Sequence, residues 1–190
     1  MTLKRCFDVT FSSVALLFLL PFLGIIALLV RLSSPGPVTF RQKRVGFHGV
    51  PFTMFKFRSM QDGSGRPNDY ISPGDTRVTS VGKFLRKTHL DELPQLLNVI
   101  RGEMSLVGPR PSPLDWVSRW EKRPSALHLR LSVLPGITGL SQIHWRQITP
   151  RRQARREILV DGLYLRHHCF LLDIKILAKT IPVMLRGSGV

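Results

Sequence analysis

Val9-Thr-Phe-Ser-Ser-Val-Ala-Leu-Leu-Phe-Leu-Leu-Pro-Phe-Leu-Gly-Ile-Ile-Ala-Leu-Leu-Val30 contains no charged side chain. As a helix it would run roughly 33 Å, enough to cross a hydrocarbon core. It is a poor secretory signal, because the apolar part is long and no small-residue cleavage site follows it. Its flanks argue against a simple crossing. Lys4 and Arg5 precede it, and Arg31, Arg41, Lys43 and Arg44 follow it, so the positive-inside rule retains both ends on the cytoplasmic side. Pro21 stands near the middle, lacks an N–H and displaces the carbonyl four residues back. Ser12 and Ser13 offer hydroxyls for strained carbonyls. These features predict a helix that enters one leaflet, turns near Leu20-Pro21 and leaves on the side it entered. A kinked transmembrane helix is the alternative.

Outward from that stretch, 190 residues suffice for one domain with a real core. Twenty-eight basic against 12 acidic side chains give a net charge of +16 and a pI near 11.3. Such a balance points to a polyanionic partner: nucleic acid, an anionic membrane surface or a phosphorylated substrate. A hydrophobic content of 43% excludes a disordered basic tail. Cys6 and Cys169 lack metal spacing and read as free thiols in a reducing compartment.

Val38–Arg44 and Pro51–Arg58 alternate apolar and polar residues around Gly46 and Gly49, the pattern of a β-hairpin. Asp62–Asp75, rich in Gly, Pro, Ser and Asp, reads as a surface loop. Phe84–Ile100 reads as helix interrupted by Pro94, and Gly108–Pro113 as stiff extended chain, since each proline fixes its own φ and restrains its predecessor. Leu114–Leu131, with Trp116 and Trp120 one turn apart and Arg119, Lys122 and Arg123 nearby, reads as helix, and Pro135–Gly139 as a turn. Leu159–Leu185 alternates apolar stretches with Arg166, Lys175 and Lys179. Helices of this composition suit the headgroup layer, with core packing as the alternative. The fold class expected is α+β, mostly helical: a re-entrant membrane helix over 1–32, then an integrated catalytic unit over 33–190 with a small hairpin and interfacial amphipathic helices.

In so basic a chain, the adjacent acids of Leu90-Asp91-Glu92-Leu93-Pro94 stand out. Pro94 is comfortable only in a first helical turn, so Leu90 or Asp91 is a candidate N-cap, or Thr88 caps an earlier start. Either places both carboxylates near helix amides that attract anions, beside Arg86 and Lys87. A diphosphate bridged to the acids by Mg²⁺ would balance these charges. An aspartate can also attack phosphorus and form an acyl phosphate. The bland alternative is that Asp91 caps a helix while Glu92 pairs with Arg86 or Lys87. Arg110, held rigidly between Pro109 and Pro111, suits bidentate phosphate recognition. Arg146, Arg151, Arg152, Arg155 and Arg156 read as a solvated or membrane-facing surface. His144, His167 and His168 lack metal-ligand spacing.

These stretches, with Lys4-Arg5-Cys6-Phe7-Asp8, Ser34-Pro-Gly-Pro-Val38, Gln42-Lys-Arg-Val-Gly46, Phe55-Lys-Phe-Arg-Ser-Met60, Leu90-Asp-Glu-Leu-Pro-Gln-Leu96, Gly102-Glu-Met-Ser-Leu-Val-Gly-Pro-Arg-Pro111, Pro135-Gly-Ile-Thr-Gly-Leu140 and Leu172-Asp-Ile-Lys175, run in one order along the chain. In them the chain resembles the bacterial sugar transferases, small monotopic phosphoglycosyl transferases of the cytoplasmic face of the bacterial inner membrane. The resemblance implies transfer of a sugar 1-phosphate from a UDP-sugar to undecaprenyl phosphate with release of UMP, the first membrane step of glycan assembly. It implies that Asp91 is the nucleophile and Glu92 its dyad partner, both at the Mg²⁺, that Arg86 binds phosphate, and that Arg110 of Pro109-Arg110-Pro111 lies near the nucleotide. Leu20-Pro21 matches the re-entrant break, where relatives often carry Ser-Pro. Other departures are Leu134, often Lys or Arg, and Ser141-Gln-Ile-His-Trp-Arg146, where relatives place Trp-Gln-Val and then Gly-Arg. The chain reads as the minimal catalytic form of the family. The expected partners are UDP-sugar, undecaprenyl phosphate and membrane lipids; oligomeric state stays open, with a homodimer as one alternative.

A nucleic-acid-binding reading accounts for the charge but finds no helix-turn-helix, zinc-finger or RNP pattern. A membrane-surface scaffold accounts for the helices but needs neither the Asp-Glu pair nor the Pro-Arg-Pro loop. The identity of the sugar is not written in these residues.

Overall fold

The computed structural model describes residues 2–63, 75–114, 124–144 and 150–185. Most of the Asp62–Asp75 loop, together with Trp116, Arg119, Trp120, Lys122, Arg123, Trp145 and Arg146, lies outside the described residues, as do the side chains of Arg151, Arg152 and Arg155.

The apolar stretch is the middle of one long helix, α1 (Leu3–Ser33). It is helical through Pro21. Pro21 forfeits one donor without ending the helix, so the turn expected near Leu20-Pro21 is not a break between two helices. Ser12 does not serve strained carbonyls as its spacing suggested: its hydroxyl is buried and has no hydrogen-bond partner among the described residues. Phe7, Ala15, Leu16, Leu19, Leu23, Ile26, Ala27 and Val30 form a stripe of helical period that packs onto the rest of the protein. The opposite face, including Phe11, Leu17, Phe18, Leu20, Phe22 and Leu28, is exposed.

Both ends of α1 are stitched down. At the start, Lys4 Nζ donates to Asp173 Oδ2 at 2.6 Å and to the Val107 carbonyl at 3.1 Å. Arg5 donates to the carbonyls of Val99 (2.7 Å) and Ile100 (3.2 Å). Asp8 accepts from Ser105 Oγ at 2.7 Å and from the Leu106 amide at 3.4 Å. At the finish, the buried guanidinium of Arg58 donates to the carbonyls of Val30 (3.2 Å), Ser34 (2.6 Å) and Pro35 (2.8 Å). These carbonyls lie at or beyond the last turn, where the backbone ladder runs out, and a cation there also meets the negative end of the dipole. Gly36 adopts φ +114°, and a Cβ at that position would run into Arg58 and Asp62.

The hairpin forms as expected. β1 (Thr39–Val45) and β2 (Pro51–Phe57) pair antiparallel from Thr39↔Phe57 to Val45↔Pro51, with a 3-10 turn at Phe47–Gly49 between them. α2 (Ser80–Lys87), a 3-10 helix (Leu90–Gln95) and α3 (Leu96–Arg101) follow. β3 (Ser105–Val107) and β4 (Ser112–Pro113) bracket Gly108–Pro111; β4 joins the far edge of β1, so the hairpin is part of a three-stranded sheet. After α4 (Pro124–Leu131), Gly136–Thr138 is not only a turn: it is β5, parallel to β3. Three-residue strands are too short for a period-two pattern to reveal. α5 (Leu140–Ile143) leads to α6 (Pro150–His167) and α7 (Phe170–Leu185), so Leu159–Leu185 is two helices that part at His168–Cys169. The architecture is mostly helical with a small antiparallel sheet. Cys6 and Cys169 are free and exposed.

Two apolar clusters carry the packing. One contains Phe52, Met54, Leu96, Val99, Met104, Leu106, Tyr164 and Ile176; the other joins Ile26 and Val30 of α1 to Phe57 and Leu85, with Leu90 and Leu93 against it. The Asp-Glu pair sits on the 3-10 helix that borders the second cluster.

Candidate active site

Thr79 Oγ1 accepts from the Gly82 amide at 2.9 Å and starts α2. Gly82 lies so close to the backbone of Ser59 that a Cβ would collide with it. This approach sets Ser59 beside α2, where Arg86 Nε donates to Ser59 Oγ at 2.8 Å. Thr88 is not an N-cap: its hydroxyl donates back to the Phe84 carbonyl at 2.8 Å and closes α2. His89 then turns the chain with φ 57°, a left-handed conformation costing roughly 1–2 kcal/mol for a residue with a Cβ. Asp91, Glu92 and Pro94 occupy a 3-10 segment of six residues. The positive surroundings of the acids therefore come from side chains more than from a long helix dipole.

Those side chains are Lys56, Arg86 and Arg110. Glu92 Oε1 accepts from Lys56 Nζ at 2.6 Å and from Arg110 Nη2 at 2.8 Å. Burial alone would raise the Glu92 carboxyl, but the charges of Arg110 and Lys56 outweigh it and hold the group well below the usual carboxylate range. Glu92 raises Arg110 in return, against burial. Burial lowers Lys56 even with Glu92 opposing it, and lowers Arg86 with Asp91 opposing it.

Asp91 is different. It is 8% exposed, yet among the described residues its carboxylate forms no hydrogen bond or ion pair. Burial pushes its carboxyl up; Glu92 adds to that, and Lys56, Arg86 and Arg110 oppose it through space. Glu92 Oε2 likewise takes no hydrogen bond among the described residues. The site thus holds one carboxylate tied down by two cations and a neighbour left uncommitted, within the field of three cations.

The structure brings Asp91, Glu92, Arg86 and Arg110 into one electrostatic cluster. Pro109 and Pro111 act through their carbonyls, which accept from the Gly136 amide at 2.9 Å and from Arg44 Nη1 at 3.2 Å. Leu20, 58% exposed, and Pro21 lie on α1, on the outward side. Lys56 and Ser59 escaped the reading of the sequence as site residues. A signal was present: Lys56 falls in register with Phe52 and Met54, on the inward side of β2, where an unpaired lysine would be costly.

Comparison with known proteins shows the family of the chain. The family model described as "Bacterial sugar transferase" matches residues 1–187. The chain is 43% identical over 185 residues to the UDP-glucose:undecaprenyl-phosphate glucose-1-phosphate transferase of Escherichia coli K12, covering 94% of this chain and 39% of that protein. It thus spans about two fifths of that relative's length. Two matches run nearly end to end. The exopolysaccharide production protein PSS of Rhizobium leguminosarum bv. phaseoli is 41% identical over 100% of this chain and 98% of its own. The uncharacterized sugar transferase EpsL of Bacillus subtilis is 40% identical over 100% and 91%. With a match across almost every residue described above, the chain belongs to the bacterial sugar transferase family.

Proposed function

We propose that this protein transfers a sugar 1-phosphate from a UDP-sugar to undecaprenyl phosphate, with UMP as the leaving group, for the assembly of a bacterial polysaccharide. The observation that carries the reading is the buried, uncommitted carboxylate of Asp91 amid Lys56, Arg86 and Arg110. An Asp91 oxygen attacks the phosphorus that bears the sugar; a P–O bond forms, the P–O bond to UMP breaks, and UMP departs with the electron pair. Arg86 and Arg110 neutralise charge on the transferring oxygens. The phosphate oxygen of undecaprenyl phosphate then attacks the same phosphorus, the aspartyl P–O bond breaks, and Asp91 returns as carboxylate. Glu92, pinned by Lys56 and Arg110, stays ionised and fixes Arg110. The uncommitted oxygens of Asp91 and Glu92 are hard donors of the kind Mg²⁺ selects. They would hold it, and it would supply further charge neutralisation on the diphosphate.

Residues 1–32 serve as a monotopic membrane element and 33–190 as the catalytic unit on the cytoplasmic face. The stitches at both ends of α1 support this, because Lys4 and Arg5 at one end and Val30 and Ser34 at the other are held by the same body of protein. A helix crossing the bilayer would have its ends on opposite faces. The helix is long and apolar enough to cross by composition alone, with mean hydropathy 2.8 in its best window, so topology is tested directly. Native Cys6 and an introduced Leu32→Cys, both exposed positions, should react with an impermeant maleimide from the same side of oriented vesicles. Labelling from opposite sides would overturn re-entry. For the chemistry, purified protein with Mg²⁺, undecaprenyl phosphate and a panel of UDP-sugars should release UMP with at least one donor, and Asp91→Asn should lose about 10³-fold or more of that release. Undiminished turnover by that variant would refute the nucleophile.

A further inference from the structure

Gly108–Pro111 is short of backbone donors, because Pro109 and Pro111 have no N–H. Its carbonyls are nevertheless gripped in succession. Pro109 is held by the Gly136 amide, and Pro111 by Arg44, which is itself fixed on Gln42 Oε1 at 3.0 and 2.6 Å. The carbonyl of Arg110 accepts from Arg130 Nη2 at 3.0 Å. This last hold is unlike the others. Arg130, on α4, is 6% exposed, and its Nε lies 3.1 Å from Oδ2 of Asp161, on α6, which is 1% exposed. Removing two charges from water offsets most of their attraction, so apolar residues of similar volume would pack there at no loss of stability. What they could not do is donate to the Arg110 carbonyl from a planar fork whose charge a buried carboxylate balances; the Nε–Oδ2 contact is an ion pair without hydrogen-bond geometry.

We infer that Arg130, balanced in charge by Asp161, is a positioning residue for Arg110: its bond to the Arg110 carbonyl sets the backbone from which that guanidinium reaches Glu92 and the diphosphate of the nucleotide substrate. The inference rests on the function proposed for Arg110. The Arg110 side chain is 41% exposed, so its reach depends on where its backbone is held more than on packing around its head. The decisive variant replaces the pair together, Arg130→Met with Asp161→Leu, so that no buried charge is stranded. It should melt close to the parent. Its kcat/KM for the UDP-sugar should fall ~10-fold or more, with kcat sharing in the loss because Arg110 bears on the transferring oxygens. In an Arg110→Ala background the same replacement should cause no further loss, because the group it positions is gone. A kcat/KM within twofold of the parent, or an undiminished loss in that background, would overturn the inference. A structure of the double variant gives a readout that needs no turnover: Arg110 Nη2 should leave Glu92 Oε1, and a retained contact would also overturn it. Should the parent release UMP from no donor, the proposed function fails while this structural comparison still decides the role of Arg130.

Discussion

At the start of α1, Lys4 and Asp8 meet Asp173, Tyr164 and Ser105; on the 3-10 helix, Asp91 and Glu92 meet Lys56, Arg86 and Arg110. In the first cluster all four carboxylate oxygens are taken: Asp8 by Ser105 and the Leu106 amide, Asp173 by Lys4 and by Tyr164 Oη at 2.8 Å. Burial, with Asp173 adding to it, pushes the Tyr164 phenol up and keeps it a donor. In the second, Glu92 accepts two charged hydrogen bonds on one oxygen while Asp91 accepts none among the described residues. Both clusters are buried and rich in charge. The closed one fastens the helix; the open one leaves a buried carboxylate with uncommitted oxygens, as the proposed attack on phosphorus requires.

The largest expected effect separates the two at once. Asp91→Asn should cost about 10³-fold or more in UMP release, while melting at or above the parent. A carboxyl whose folded pKa is raised costs stability as pH rises through that value and it ionises, and Asn removes this cost. A clear drop in melting temperature would mean that Asp91 is structural after all. Asp173→Ala should show the opposite profile. It strands Lys4 and Tyr164 and should lower stability by about 2–3 kcal/mol in detergent or nanodisc melts, at the lower end because Lys4 is 31% exposed and can turn to water. Thr79→Ala should cost about 1 kcal/mol by removing the cap of α2; a change in KM alongside it would show that the placement of Arg86 depends on that cap. The smallest effect is a pH dependence that should be absent. The folded pKa of Glu92 is depressed, so its contribution is complete above its ordinary value of 4.5 and is lost only as pH falls through the depressed one. Glu92→Gln should therefore shift melting by the same amount at pH 7 and pH 5, and by less as the medium becomes more acidic.

The hairpin was legible because alternation over seven residues on each side of a glycine-bearing turn leaves little freedom. α1 was legible from an uncharged run, but its two-faced character was not: both faces are apolar, and only the distant partners Asp173, Ser105 and Arg58 decide which one turns inward. β3, β4 and β5 escaped notice because they are two or three residues long and are defined by pairing across the sequence. At the site, adjacency disclosed Asp91 and Glu92, and flanking prolines disclosed Arg110. None of the cap candidates Leu90, Asp91 and Thr88 is the N-cap: His89 precedes the 3-10 helix, and the Thr88 hydroxyl serves the preceding helix, which its spacing allows equally well. Lys56 was visible as a strand residue on the wrong face, yet nothing local named Glu92 as its partner.

The stitching of α1 also bears on how the protein is made. Lys4 waits for Asp173, which follows it by 169 positions, so the nascent chain carries a long oily segment well before the partners of its first turn have been synthesised. Contacts so far apart in sequence form late. In the proposed topology lipid shelters that segment before those partners exist, and the later residues then fold against a helix seated in it.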